Sequence, residues 1–208
     1  GVAVVVLSIF VGLKLVNAGP DEVEKKSDEY IKYSEMFQLQ LSSDKSYYSI
    51  LRLKDPDLTS VEIPNTIDNI PVKKLLGHKD SNNFSSWNNC ITIRIGKNIE
   101  YIGTNPNNEG ILNGGTLGDN FLGSLSKVST IIVDEDNLVY ASKDGVLYNK
   151  DKTKIVLFPE GRSSAYVMPQ SVREIGPYAF HNSRLSSFTI NSSVTSIGDY
   201  AFAYAKYI

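Results

Sequence analysis

Hydrophobic and polar positions follow two different periods along this chain. From Phe37 to Leu53 the period is two: Phe37, Leu39 and Leu41 alternate with polar residues, SSDKS follows, and Tyr48, Ile50, Leu51 and Leu53 resume the apolar pattern. Alternating runs on either side of a polar turn predict a β-hairpin. From Met168 to Phe202 the order is longer-ranged. MPQSVREIGPYAF and INSSVTSIGDYAF share one pattern: an apolar residue, three residues, Val, two residues, Ile-Gly, two residues, Ala-Phe. Val172 maps to Val194, Ile175 to Ile197, Gly176 to Gly198, Tyr178 to Tyr200 and Ala179-Phe180 to Ala201-Phe202, always 22 positions apart. A fixed period of this size marks stacked units that bury their apolar faces on one another.

Weaker copies lie upstream. Ile63-Pro64-x-x-Ile67-x-x-Ile70 keeps the spacing with Pro71 in place of Gly, and Ile95, Ile99, Ile102 and Gly103 keep it again. After Gly103 an Asn- and Gly-rich stretch reads as a loop insertion, with Phe121 as the displaced Phe of that unit. Asp144-Gly145 stands between two apolar runs and predicts a tight hairpin turn. A second turn over Asn149 to Thr153 leads into Lys154 to Phe158, giving a β-meander that interrupts the repeats.

Each unit is expected to open on a short strand: Val61 to Ile63, Ile91 to Ile95, Thr130 to Val133, Tyr166 to Met168 and Phe188 to Ile190. Successive side chains on a strand face opposite ways. The inward set is then Ile63, Ile93, Ile95, Ile131, Val133, Tyr166, Met168, Phe188 and Ile190. The outward set is Glu62, Thr92, Arg94, Thr130, Ile132, Val167 and Thr189, the candidate partner-binding row if the strands lie side by side in one sheet. Ile132 and Val167 are apolar without a core role in this register, and Arg94 lies near them. The competing expectation is that the Asp144-Gly145 meander folds over the row and buries both. Glycine after Ile permits a positive φ or close chain approach, and successive Phe rings are expected to stack as a spine.

The N-terminal stretch is of another kind. Residues 1–18 are apolar and small apart from Lys14, too few for a confident span of about 20 residues. They resemble the apolar part of a secretory signal or an anchor. Residues 19–36 predict a helical linker, with Pro20 in the first turn and Asp21 and Glu22 at the positive end of its dipole. The absence of an initiating Met and the stop just after an Ala-Phe read as a piece of something longer.

Composition narrows the function. Apolar residues make up 41% of the 208 and charged residues 21%, as in a folded chain. A net charge of −2 argues against a nucleic-acid partner. Cys90, the sole cysteine, reads as a small buried hydrophobe. His78 and His181 have no metal-ligand spacing, and both are read as loop residues. The glycine-rich insertion lacks the Lys-Ser/Thr of a phosphate loop. Asp134-Glu135-Asp136-Asn137 lacks the Gly and distal Glu of a calcium loop and reads as a solvated turn. No catalytic, cofactor-binding or metal-binding residues are assigned, and the chain is read as non-enzymatic.

The repeat Ile-x-x-x-Val-x-x-Ile-Gly-x-x-Ala-Phe resembles the BspA-type leucine-rich repeats of bacterial, and some protist, surface proteins. YYSI, IPNTIDNIPVKKL and the stretch NLVYASKDGVLYNKDKTKIVLFPEG resemble recurring parts of that family. The resemblance spans 37–208. It implies a leucine-rich-repeat-like solenoid, β-rich, with short strands, irregular or short helical returns, an inserted β-meander and an N-terminal helix before it. The expected division is an export or anchor segment over 1–18, a linker over 19–36, and a repeat domain over 37–208 (hairpin 37–53, repeats 58–133, meander 138–158, repeats 165–208). Pro71, the missing Ala-Phe in the first two units and the long insertion depart from the pattern. The family also implies an extracellular or cell-surface protein that binds a protein or glycoprotein ligand, often as an adhesin. No cofactor is expected, and contact with a membrane is expected only through the N-terminal segment if it is uncleaved. The alternatives are a spacer or targeting array for a catalytic domain elsewhere, and a glycan-binding module using exposed tyrosines.

Overall fold

A computed structural model describes residues 26–77, 87, 89–104, 125–163 and 165–205. The export-like segment, the first part of the expected linker (19–25), His78 and Phe121 lie outside these residues.

The first described element is helix α1, Asp28–Met36. Ser27 caps it, its hydroxyl accepting from the Tyr30 N–H at 2.9 Å, and Asp28 and Glu29 sit in the first turn, where the helix dipole favours acids. The expected start at Pro20 is therefore not the start of this helix. Ser27 also bonds Asp68, and Glu29 accepts from the Asp68 N–H at 2.8 Å, so the helix is tied to the turn after Ile67. Tyr30, Tyr33 and Met36 pack on the main core.

At Phe37 the chain turns directly from helix into β1, Phe37–Leu41, which pairs antiparallel with β2, Tyr48–Leu53. This is the hairpin that the alternation predicts. Next come β3, Ser60–Glu62, β4, Thr66–Ile67, and β5, Ile70–Gly77. Asp68 and Asn69, at φ 52° and 63°, join β4 to β5 in a two-residue turn. Asn and Asp tolerate the left-handed region better than other side chains, so the weak first repeat closes on itself as a small hairpin.

The remaining strands are β6, Thr92–Ile95; β7, Tyr101–Thr104; β8, Thr130–Val133; β9, Tyr140–Lys143; β10, Val146–Asn149; β11, Lys154–Leu157; β12, Glu174–Ile175; and β13, Ser196–Ile197. They form two kinds of parallel ladder. Strands that open the units pair as β3-β6-β8. The Val-x-x-Ile segments pair separately, as β5 with β7 and as β11-β12-β13. The meander β9-β10-β11 does not merely interrupt the repeats: β11 is the first rung of the C-terminal ladder.

Two expected strands are absent. Tyr166 to Met168 and Phe188 to Ile190 belong to no ladder, so the unit-opening strands do not continue as one sheet. The Asn191 side chain explains part of this. Its amide donates to the carbonyls of Met168 and Pro169 at 2.9 and 3.1 Å, and Pro169 has no N–H to offer. Alternation nevertheless survives: Tyr166 and Met168 are buried and Val167 is exposed. Ile190, expected to face inward, is 43% exposed.

The spine of rings is present. Phe158, Phe180 and Phe202 stack with centroids 5.1 and 5.3 Å apart, both pairs 18° from parallel, and Phe188 stacks on Phe180 at 4.8 Å. Backbone bonds hold the register. The N–H of Phe158 donates to Ala179 O and that of Phe180 to Ala201 O, both at 2.7 Å. The glycines serve close approach rather than positive φ. A Cβ on Gly176 would lie 2.8 Å from Ile155 O, and one on Gly198 would lie 2.5 Å from Pro177 N. The left-handed conformation falls instead on Tyr178 and Tyr200, both at φ 55°, and on Asn182 and Tyr204, at 53° and 58°. Each pair is again 22 positions apart.

Candidate functional site

Across β3, β6 and β8 the register places Ser60 beside Thr92 beside Thr130, and Glu62 beside Arg94 beside Ile132. The second rung faces a groove of about 170 Å³ lined by Glu62, Ile63, Asn65, Arg94, Ile95, Gly96, Ile132 and Asp134. Three of the seven candidate row residues thus share one surface feature, with Thr92 and Thr130 half-buried one rung away. Val167, 87% exposed, and Thr189, also exposed, lie outside the strands and do not line the groove.

The wall residues Asn65 and Asp134 are not in the expected row. Each sits just past a strand, where the chain turns over the end of the sheet; residues at those offsets were the available signal. Asn65 is fixed from both ends of its side of the turn. Its Oδ1 accepts from the Lys97 N–H at 2.6 Å, and its carbonyl accepts from the Asn98 amide at 3.0 Å. Gly96 makes room for it, since a Cβ there would fall 2.5 Å from Asn65 Oδ1.

The groove carries two carboxylates, Glu62 and Asp134, around one guanidinium, and among the described residues Arg94 makes no ion pair with either. The meander does not cover the row. The Gly145 carbonyl accepts from the Ile131 N–H and the Ser142 hydroxyl accepts from the Val133 N–H, both at 2.9 Å. It therefore occupies the lateral edge of β8 and leaves the outward face open, with Ile132 only half-buried. What this arrangement offers is contact: an aliphatic surface beside a cation, with acids at the rim.

A second cluster was not read from the sequence. His181, expected on a surface turn, is buried between the rings of Tyr178 and Tyr204, at centroid distances of 6.0 and 5.3 Å. Its Nδ1 lies 3.8 Å from Oε1 of Glu160, which is also buried. Burial pushes the Glu160 carboxyl up to about 7, opposed by the Asn182 amide at 3.5 Å and by the Arg184 charge. Neither Glu160 nor His181 lines the groove, so the pair is a structural element of the C-terminal core.

Its linkage has a definite sign. The unfolded carboxyl ionises near 4.5, whereas the folded one holds its proton to about 7. The folded state therefore binds more protons between those values, and stability falls as pH rises from about 4.5 to 7. The expected loss is on the order of 3 kcal/mol from this group. Glu160→Gln should flatten the profile and raise the melting temperature at pH 8. A wild-type melting curve that does not change between pH 5 and pH 8, with Glu160→Gln indistinguishable from it, would contradict this.

Cys90 is buried, as read from the sequence, and burial pushes its thiol up to about 11. Among the described residues, no three His, Cys, Asp or Glu side chains gather as a metal site. No helix among them is long and apolar enough to cross a membrane.

Ladders of short parallel strands, a 22-residue period and a ring spine are features of a leucine-rich-repeat-like fold. The family model described as "BspA type Leucine rich repeat region (6 copies)" matches residues 149–208, and these residues are similar to the repeats of that family. No curated protein matches the sequence. Among solved structures, the chain is similar to the pneumococcal vaccine antigen PcpA at 24% identity and TM-score 0.47, over 73% of this chain and 38% of that one. A leucine-rich repeat protein from Eubacterium ventriosum is similar at 19% identity and TM-score 0.47, over 81% and 61% of the two chains. One from T. pallidum is similar at 17% identity and TM-score 0.40, over 82% and 65%. The chain thus spans less than two thirds of each of these three.

Proposed function

We propose that this chain is a non-catalytic, exported or surface-held solenoid that binds a protein or glycoprotein, and that the groove across β3, β6 and β8 is its contact surface. In this reading residues 1–18 direct export or anchoring, 19–36 link, and 37–208 form the binding domain. Adhesion to a host or neighbouring cell is the role that BspA-type repeats suggest. The observation that carries the site is the alignment of Glu62, Arg94 and Ile132 in one rung, open to solvent and walled by Asn65 and Asp134. Stacked repeats present such rungs as extended surfaces suited to large partners. An Arg beside an aliphatic residue with a polar surround is a composition found at binding hot spots.

Arg94→Glu combined with Ile132→Asp reverses the central charge and removes the apolar contact while leaving the buried Ile93, Ile95 and Ile131 in place. Binding to cells or matrix is expected to fall at least tenfold, about 1.4 kcal/mol, with the melting temperature unchanged. A folded double variant that binds as wild type does would sink the assignment.

A further inference from the structure

If the groove across β3, β6 and β8 is the contact surface, as proposed above, the order of its charges restricts what can fill it. Register sets Glu62 beside Arg94 on neighbouring strands, about 4.8 Å apart. The Asp134 N–H donates to Ile95 O at 2.9 Å, which brings Asp134 against the end of β6 from the other side. Arg94 thus stands between two carboxylates, and all three residues line the groove. Among the described residues, neither carboxylate lies within ion-pair distance of the guanidinium. An exposed ion pair contributes little in water, so the three groups lose almost nothing by standing apart, and each is open to a group from outside. Asn65 adds a further donor. Its Oδ1 accepts from the Lys97 N–H and its carbonyl from the Asn98 amide, so its place is set. Its own amide N–H groups have no acceptor among the described residues.

This order disfavours any ligand of a single charge. A polyanion, such as a sulfated glycan or a nucleic acid, meets Arg94 but sets its charge against Glu62 and Asp134. A polycation meets the two acids and is repelled by Arg94. Like charges brought face to face across an interface suppress binding. A neutral glycan brings no ion for any of the three. The complement is a carboxylate flanked by two cations. The carboxylate accepts from the planar fork of Arg94 and from the Asn65 amide. The cations meet Glu62 and Asp134, and an aliphatic neighbour covers the half-buried Ile132. A polypeptide carries all of these groups within a few residues.

We propose that the groove takes a protein segment in which one acidic residue is flanked by basic residues, with an aliphatic residue beside them. Panning a phage-displayed library of random peptides on the full chain tests it. Enriched peptides are expected to carry Asp or Glu with Lys or Arg on both sides within a few positions. Their binding should weaken as ionic strength rises from about 50 mM to about 500 mM. Glu62→Gln with Asp134→Asn should weaken it at least about fivefold. The melting temperature should hold, because Asn keeps the Oδ1 that accepts from the Asp136 N–H at 2.9 Å. Peptides that bind the Arg94→Glu, Ile132→Asp double variant as they bind wild type do not use the groove, and the contact-surface reading falls together with this one. Peptides that lose binding to that variant but carry a single sign of charge, or that bind the neutralised variant unchanged, overturn the charge order alone. A panning that enriches no peptide above an unrelated control protein overturns it as well.

Discussion

Phe180→Ala is expected to lower stability by about 3–5 kcal/mol, the range for truncating a large core aromatic. Phe180 is fully buried and central to the spine: Phe158, Phe188 and Phe202 all stack on it, within 5.3 Å, and Tyr166 tilts against it at 6.1 Å. These neighbours are held by backbone bonds on both sides, Phe158 to Ala179 and Phe180 to Ala201, so the site has little freedom to collapse around a void. For a domain of this size each kcal/mol corresponds to about 2–4 °C, so the melting temperature should drop by roughly 6–20 °C. Phe202→Ala is the internal control. That ring is only half-buried, with partners on one side of the stack, and the change should cost about half as much. Equal losses for the two, or none at Phe180, would mean that the ring stack does not hold the repeats together.

Why the spine was legible while other parts were not comes down to which interactions repeat. Val172, Ile175, Ala179 and Phe180 are all fully buried, each facing the same neighbour one unit away, so a period of 22 in the sequence carries the packing directly. The hairpin β1-β2 was equally open to reading, because alternation there reports one buried face. Ladder formation was not legible. Tyr166 to Met168 alternates as a strand does, but whether a strand pairs depends on what takes its carbonyls, and the competitor here is Asn191, more than twenty residues away. In the candidate groove, Glu62, Arg94 and Ile132 follow from alternation plus parallel register. Val167 and Thr189 do not line it because their segments never join that sheet, and Asn65 and Asp134, which do line it, lie on turns outside the alternating pattern. His181 and Glu160 are hidden for a related reason. Both have polar side chains that sequence patterns send to the surface, whereas the structure buries both and flanks His181 with the rings of Tyr178 and Tyr204.

Asn137 is the sharpest case of a polar residue doing the work of a core position. It stands where the other units have Ile99, Val172 and Val194, and its expected place was a solvated turn, yet it is fully buried. Its amide nitrogen donates to Gly96 O and Ile99 O at 3.0 and 2.9 Å. Its oxygen accepts from the N–H groups of Val139 and Tyr140 at 2.9 and 2.7 Å. All four capacities are met, and the amide orientation is fixed because two donors and two acceptors face it. The side chain thereby joins the turn of the second repeat to the start of the meander. Asn137→Val restores the apolar residue of the repeat but orphans four backbone groups. At about 1–3 kcal/mol for each buried group left unpaired, the loss should be about 4 kcal/mol or more, with relaxation toward solvent limiting the sum. Asn137→Asp separates the hydrogen-bond argument from simple volume. Its carboxylate would still accept from Val139 and Tyr140, but it would face two carbonyls with no donor, so burial and repulsion would raise its folded pKa above the unfolded value. Stability would then be greatest below the unfolded pKa and fall as pH rises through the folded one. Thermal melts of wild type and both variants between pH 4 and pH 8 test this. Asn137→Val should be low at every pH, and Asn137→Asp should recover toward wild type only in acid. A Val variant as stable as wild type would show that the four bonds contribute nothing beyond what an apolar core residue supplies.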